Sequence, residues 1–276
     1  MFSYSIWEWI AFFIVYCFIG WIFESLYVSW EHRKWVNRGF LHGPFLPIYG
    51  FGAVIILIST IPVRNSFPLI FLFGMVGATL LEYATGYVME KIFHVKYWDY
   101  SCQPLNLNGY ICLGCSLAWG GFSLLLTVIL HNPVERFVLA MPHVWLIVTD
   151  IVFGVYFISD MISSAQEAFD LKKMILANED VQRLQRRLDV VLAFVEDDKE
   201  KFLEYLKEKG EKLAESKEAL ELELREGIEA ARTRYESQKV RLRAARIVRR
   251  NPSSTTVRHK FDFDELREYR KNMRKR

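Results

Sequence analysis

The chain has 276 residues, 52% hydrophobic and 24% charged, with a formal charge of only +3. These averages conceal two different polymers. Residues 1–164 carry all eight Trp and thirteen of fifteen Gly, with seven Lys/Arg against nine Asp/Glu, whereas residues 165–276 carry 28 Lys/Arg and 23 Asp/Glu. That division excludes one uniform soluble globule and predicts a membrane part followed by a water-exposed part.

In chain order, apolar runs at roughly 6–29, 44–61, 67–90, 110–131 and 139–160 each come close to the ~20 residues that span a bilayer. The expected fold is all-α: a polytopic membrane protein with five transmembrane helices, then a long cytoplasmic helical tail. The expected organisation is a membrane domain over 1–164, a coiled-coil-like helical region over 165–250 and a basic segment over 251–276. The first run is not read as a cleavable signal, because no basic segment precedes it and it is too long. Lys and Arg set the orientation. Arg33, Lys34 and Arg38 follow the first run and Lys91 and Lys96 follow the third, while the other two connections hold only Arg64 and Arg136. The N-terminus is therefore expected outside, and the tail in the cytoplasm.

Between the first two runs lies NRGFLHGPFLPIYGFGA, Asn37 to Ala53. Irregular backbone at a membrane survives only where protein covers it or it lines a wet cavity. Gly39, Gly43 and Gly50 permit unusual dihedrals or close approach, and Pro44 and Pro47 suit the first turn of a helix. With Tyr49 they are expected to form a structural loop that folds onto the second helix at its cytoplasmic end. That helix N-terminus favours anions, and Arg38 would add a two-pronged donor. The competing reading is a tight interfacial turn, with Arg38 among lipid head groups.

Carboxylates inside apolar runs are expensive and usually face the bundle interior. Glu24 lies in the first run. In the third, Gly74, Ala78, Glu82, Gly86 and Glu90 recur every four residues, a small-residue stripe suited to close helix approach. A cluster of Glu24, Arg38, Glu82 and Glu90 near the cytoplasmic interface follows, either as a polar site or as an ion-pair staple. Asp150 could join it, and Asp160 reads as solvated. The segment KYWDYSCQPLNLNGYICL, Lys96 to Leu113, adds head-group-zone aromatics with Asp99 and Asn106 among them.

Four scattered cysteines exclude a disulfide framework. Cys112 and Cys115 form a CxxC, read here as small residues at helix spacing rather than as a metal or redox pair. No metal site and no cofactor is expected.

The motifs NRGFLHGPFLPIYGFGA, LEYATGYVMEKIF, YWDYS, PLNLNG and SLAWG, in that order, resemble the bacterial membrane family called putative ABC-transporter type IV, or CmpB-like, over about residues 8–160. The resemblance implies a permease-like fold. It implies site positions at Asn37, Arg38, Gly39, Gly43, Pro44, Pro47, Tyr49 and Gly50 in the first motif, and at Glu82, Glu90, Trp98, Asp99 and Asn106 in the later ones. The sequence has no GxxxxGK[ST], so a permease would need a separate ATPase subunit.

The tail is rich in Glu, Lys, Arg, Leu and Ala, a helical composition. Apolar residues from Leu184 through Phe202, Leu206, Leu213, Leu220 and Leu224 to Leu242 are spaced by threes and fours. The step from Phe202 to Leu206 breaks a strict heptad, so a long helix or a hairpin bent near Gly210 is expected. The helix should end before NPSST, Asn251 to Thr255, read as a linker. Residues 165–224 carry 11 basic and 16 acidic side chains, and residues 225–276 carry 17 and 7. The basic end could meet acidic lipid or another subunit in a homo-oligomer. Nucleic acid is not expected.

Three functions fit these features. The first is a permease-like protein with a polar site at the cytoplasmic face, binding or translocating an anionic or lipid-like substrate. The second is a membrane enzyme acting on a lipid or lipid-linked substrate. The third is a membrane anchor displaying a helical assembly tail.

Overall fold

The structure, a computed structural model, describes residues 4–193, 217–235 and 238–255. It has no named strand among them; its elements are helices. We number these α1 (Ile6–His32), α2 (Pro47–Thr60), α3 (Phe67–Phe93), α4 (Leu113–Leu139), α5 (His143–Ala193), α6 (Lys217–Tyr235) and α7 (Gln238–Arg250). The described residues form two compact units, one of residues 4–168 with 246–255 and the other of residues 169–193, 217–235 and 238–245.

In the first unit, chemistry at the termini sets the helix boundaries. Ser5 and Glu8 close a capping box on α1, and Arg33 ends it in the left-handed region at φ 49°. Pro47 opens α2 and Pro68 lies in the first turn of α3, where a missing N–H is harmless. Cys112 caps α4, its Sγ accepting from the Cys115 N–H at 3.3 Å. Within α4, Leu125–Leu130 widens to π-helical turns just before Pro133, which lacks the N–H its turn would need and perturbs the residues before it.

Consecutive helices pack side by side: α1 on α2, α2 on α3 and α3 on α4. The last turns of α4 then return to α1. That return is polar. Tyr16 Oη lies 3.0 Å from His131 Nδ1, and the Tyr4 hydroxyl donates to Glu135. α1 packs far less on the first turns of α4 than on α2, and there the Phe23 and Phe122 rings meet, 5.6 Å apart and edge to face.

Among the described residues four helices are long and apolar enough to cross a membrane: α1, α3, α4 and α5. Of the five expected transmembrane helices, the second is shorter than the other four. It is α2, 14 residues long and extended only by a 3-10 turn to Val63, about 21 Å against a hydrocarbon core of about 30 Å. The cause lies in the preceding loop. Leu46 N–H donates to the carbonyl of Cys17, midway along α1, at 3.0 Å. Residues 37–46 thus descend alongside α1 to that level, and α2 begins only there. Pro44, Phe45 and Leu46 are apolar enough to read as span, yet they belong to the loop.

The stripe on α3 is a packing surface as the sequence suggests. Gly74, Ala78, Glu82 and Gly86 are buried. A Cβ on Gly74 would lie 2.2 Å from Ser123 Cβ, so α3 and α4 touch nearly backbone to backbone.

The second unit contains the remainder of α5, α6 and most of α7. Leu171, Met174, Ile175, Leu188, Leu220, Leu224 and Ile228 are buried, and Arg243 pairs with Asp170 at 3.2 Å. Of the expected apolar stripe, Leu188, Leu220 and Leu224 are therefore interior. Phe202, Leu206, Leu213 and the bend near Gly210 lie outside the described residues, as does most of the expected 251–276 segment.

Candidate functional site

The loops 33–46 and 94–112 and the segment 251–255 converge at one end of the first unit, over a cavity of about 590 Å³. Its charged lining residues are Glu24 from α1, Arg38 from the first loop and Glu82 from α3. Its walls include Phe23, Tyr49, Tyr97, Trp98, Tyr100 and Trp119.

Arg38 is the hub, with a side chain only 12% exposed. Its Nε lies 3.8 Å from Glu24 Oε2. Nη1 donates to Asn251 Oδ1 at 3.2 Å, and Nη2 to Ser253 Oγ at 3.2 Å and the Tyr97 carbonyl at 3.5 Å. Its backbone N–H donates to Ser25 Oγ. An arginine remains charged even when buried. Glu24 also accepts from the Tyr49 hydroxyl at 2.7 Å. Tyr49, expected as a loop residue, therefore stands in α2 as a cavity residue.

Glu82 is buried and held by neutral donors, the Tyr100 hydroxyl at 3.2 Å and Trp119 Nε1 at 2.9 Å. Burial and the neighbouring Glu82 carboxylate raise the Tyr100 phenol well above its usual value, so it stays a donor.

Of the other candidate binding residues, Asn37, Glu90, Asp99 and Asn106 do not line the cavity. Asn37 holds the first loop, accepting from Trp21 Nε1 at 2.6 Å and donating to the His42 carbonyl at 2.7 Å. Glu90 accepts from the Tyr110 hydroxyl at 2.6 Å, so the α3 stripe brings Glu82 and not Glu90 to the cavity. Asp99 accepts from the Ser101 N–H and hydroxyl, lies 3.8 Å from Lys96 Nζ and accepts from Thr255 Oγ1 at 3.3 Å. Burial raises its pKa, but these partners outweigh burial and hold it below the usual carboxylate range. Asn106 ties its own turn through the Ser101 and Gln103 carbonyls and the Gly109 N–H. In the first loop, Gly39 sits at φ +125° and lines the cavity beside Pro47. Gly43 N–H donates to Asp160 Oδ2 at 2.8 Å, and Pro44 and Gly50 complete the turn and the first turns of α2. The Cys112 and Cys115 sulfurs are 2.9 Å apart, and Cys115 lines the cavity.

Two features escaped the sequence reading. Asp160 is buried rather than solvated. It accepts from the His42 and Gly43 N–H groups and lies 2.8 Å from His42 Nδ1, while His42 Nε2 is 3.1 Å from Glu167. The only hint was His42 amid the glycines. The second feature is the stretch read as a linker. Arg250 donates to the Phe40 carbonyl and to Glu167, both at 3.0 Å, and Asn251 donates to the Gly39 carbonyl at 3.1 Å. Lys96 and Thr255 exchange backbone hydrogen bonds of 3.0 and 2.9 Å. Residues 250–255 thus build the polar end, joining both loops. Asn251→Ala is expected to loosen this segment by about 1–2 kcal/mol, because it leaves Arg38 and the Gly39 carbonyl short of a partner. Limited proteolysis of the detergent-solubilised protein should then cut near Ser253 about tenfold faster than in wild type.

Apolar helices of spanning length around an aromatic cavity define a multi-pass integral membrane protein. Over residues 11–165, more than half of its length, the chain matches the family described as putative ABC-transporter type IV, and it belongs to that family. The matched region carries every motif quoted above. No curated protein and no solved structure matches the chain.

Proposed function

We propose that this protein is the permease-like membrane component of a transport system, and that its cavity receives an amphiphilic molecule at the cytoplasmic face of the membrane. The observation that carries this reading is the cavity itself. A 590 Å³ space walled by aromatics around Glu24, Arg38 and Glu82 is of ligand size and has the composition of a ligand site, mostly apolar with a few placed polar groups. Its lining residues Phe23, Tyr27, Ile92 and Phe122 are also exposed on the outside of the helices. The apolar wall is therefore continuous with the lipid-facing surface, at the place where Phe23 of α1 meets Phe122 of α4. A lipid-like substrate can enter there sideways.

In this reading α2 and the descending loop together make a fifth crossing, which leaves the N-terminus outside and the tail in the cytoplasm. The Lys and Arg distribution supports that orientation. Energy comes from a separate ATPase subunit, in keeping with the family's description, and the helical tail serves assembly with that subunit or with a second copy.

The test fills the cavity without touching its charges. Ala118 lines the cavity on α4. Ala118→Trp is expected to leave the melting temperature of the purified full-length protein near wild type and to abolish retention of co-purifying amphiphiles, measured by mass spectrometry of the protein in nanodiscs. Equal retention by both proteins would overturn the reading.

A further inference from the structure

We infer that the head group taken by this cavity is a cation: the ligand is an amphiphile carrying an ammonium group. This deepens the proposed function and rests on it. The first argument is the balance of charge. The cavity presents two carboxylates, Glu24 and Glu82, and one guanidinium, Arg38. Arg38 is spent on protein. Its Nε faces Glu24, and its two terminal nitrogens donate to Asn251, Ser253 and the Tyr97 carbonyl. It therefore has little left for an incoming anion, although an anion binder is what its position in the sequence suggests.

Glu82 is the opposite case. It receives a phenol and an indole hydrogen bond, which orient it without cancelling its charge, and no cation pairs with it among the described residues. A carboxylate so enclosed calls for a positive partner, because an uncompensated charge in a low-dielectric site is costly. The second argument is the wall. Tyr100 and Trp119 both touch Glu82, and the Tyr49 ring stands 5.9 Å from Trp119. Aromatic faces carry negative potential, attracting cations and repelling anions. Carboxylate and rings thus select the same sign.

Full-length protein in micelles of an uncharged maltoside detergent at neutral pH would be titrated with dodecyltrimethylammonium and, separately, with dodecyl sulfate below denaturing concentration, using empty micelles as the blank. The expected result is that the ammonium probe binds at least tenfold more tightly. Glu82→Gln should erase that preference and Glu82→Asp retain part of it. The assignment is overturned if the sulfate binds equally well or better, or if Glu82→Gln keeps the preference while remaining folded by circular dichroism. If Glu82→Gln does not fold, the wild-type comparison of the two probes decides. Specific sulfate binding would leave the cavity reading standing and sink only the charge, whereas binding of neither probe would overturn both.

Discussion

Arg38→Ala is expected to destabilise the first unit by about 3 kcal/mol, near the lower end of the range for breaking a buried ion pair. The lower end applies because Glu24 keeps 26% of its side chain exposed and can recover some hydration. The loss is more than one pair. Arg38 connects α1 through Glu24, the 94–112 loop through the Tyr97 carbonyl and the 251–253 segment through Asn251 and Ser253. Arg38→Lys keeps the charge but offers a point donor in place of a planar fork, so it should fall between wild type and Arg38→Ala. The discriminating measurement is a double-mutant cycle read by thermal unfolding in detergent. Adding Glu24→Gln to Arg38→Ala should recover about 1–2 kcal/mol, because the orphaned carboxylate is gone. If the two substitutions simply add, the Glu24–Arg38 pair is not what holds this end together.

The parts of the site that were legible in the sequence were those the membrane makes expensive. A carboxylate in an apolar helix must face something, so Glu24 and Glu82 could be picked out and grouped with Arg38 from local sequence alone, although Glu24 pairs with Arg38 and Glu82 takes its bonds from Tyr100 and Trp119. The α3 stripe was legible for the same reason, since its four-residue period is a helix face. Its reach was not, because residues on one stripe lie at different depths: Glu82 meets the cavity, while Glu90, two turns on, meets Tyr110. Hydropathy also overstated the length of α2. It sums apolarity and is blind to backbone hydrogen bonding, so Pro44–Phe45–Leu46 looked like span although Leu46 bonds to Cys17 in a descending loop. Least legible was Asn251. It stands more than two hundred residues from Arg38 in a stretch whose Pro, Ser and Thr read as a linker, and nothing local to it indicates a partner. Its role follows only from the fold, in which α7 delivers Asn251 to the Gly39 carbonyl.

Gly74→Ala is expected to be the most damaging single methyl in the membrane unit. The new Cβ would lie 2.1 Å from Ser123 Oγ and 2.2 Å from Ser123 Cβ. Ser123 is fully buried, and its hydroxyl is held by the Trp119 carbonyl at 2.8 Å. The Cβ itself cannot rotate away, so the clash can be relieved only by moving α3 from α4, and overpacking of this kind costs about 3 kcal/mol. That displacement also reaches the cavity, because Trp119, one turn before Ser123 on α4, donates to Glu82, two turns after Gly74 on α3. Gly74→Ala should therefore lower the melting temperature and weaken amphiphile binding together, although residue 74 does not line the cavity. Ser123→Gly removes the atoms in the way and gives up one side-chain hydrogen bond to a helix carbonyl. In the Gly74→Ala, Ser123→Gly double variant, both melting temperature and binding should return most of the way to wild type. Recovery of stability without recovery of binding would mean that the Glu82–Trp119 bond, and not the helix spacing, limits the site. Failure to recover either would show that the two helices do not depend on this contact for their approach.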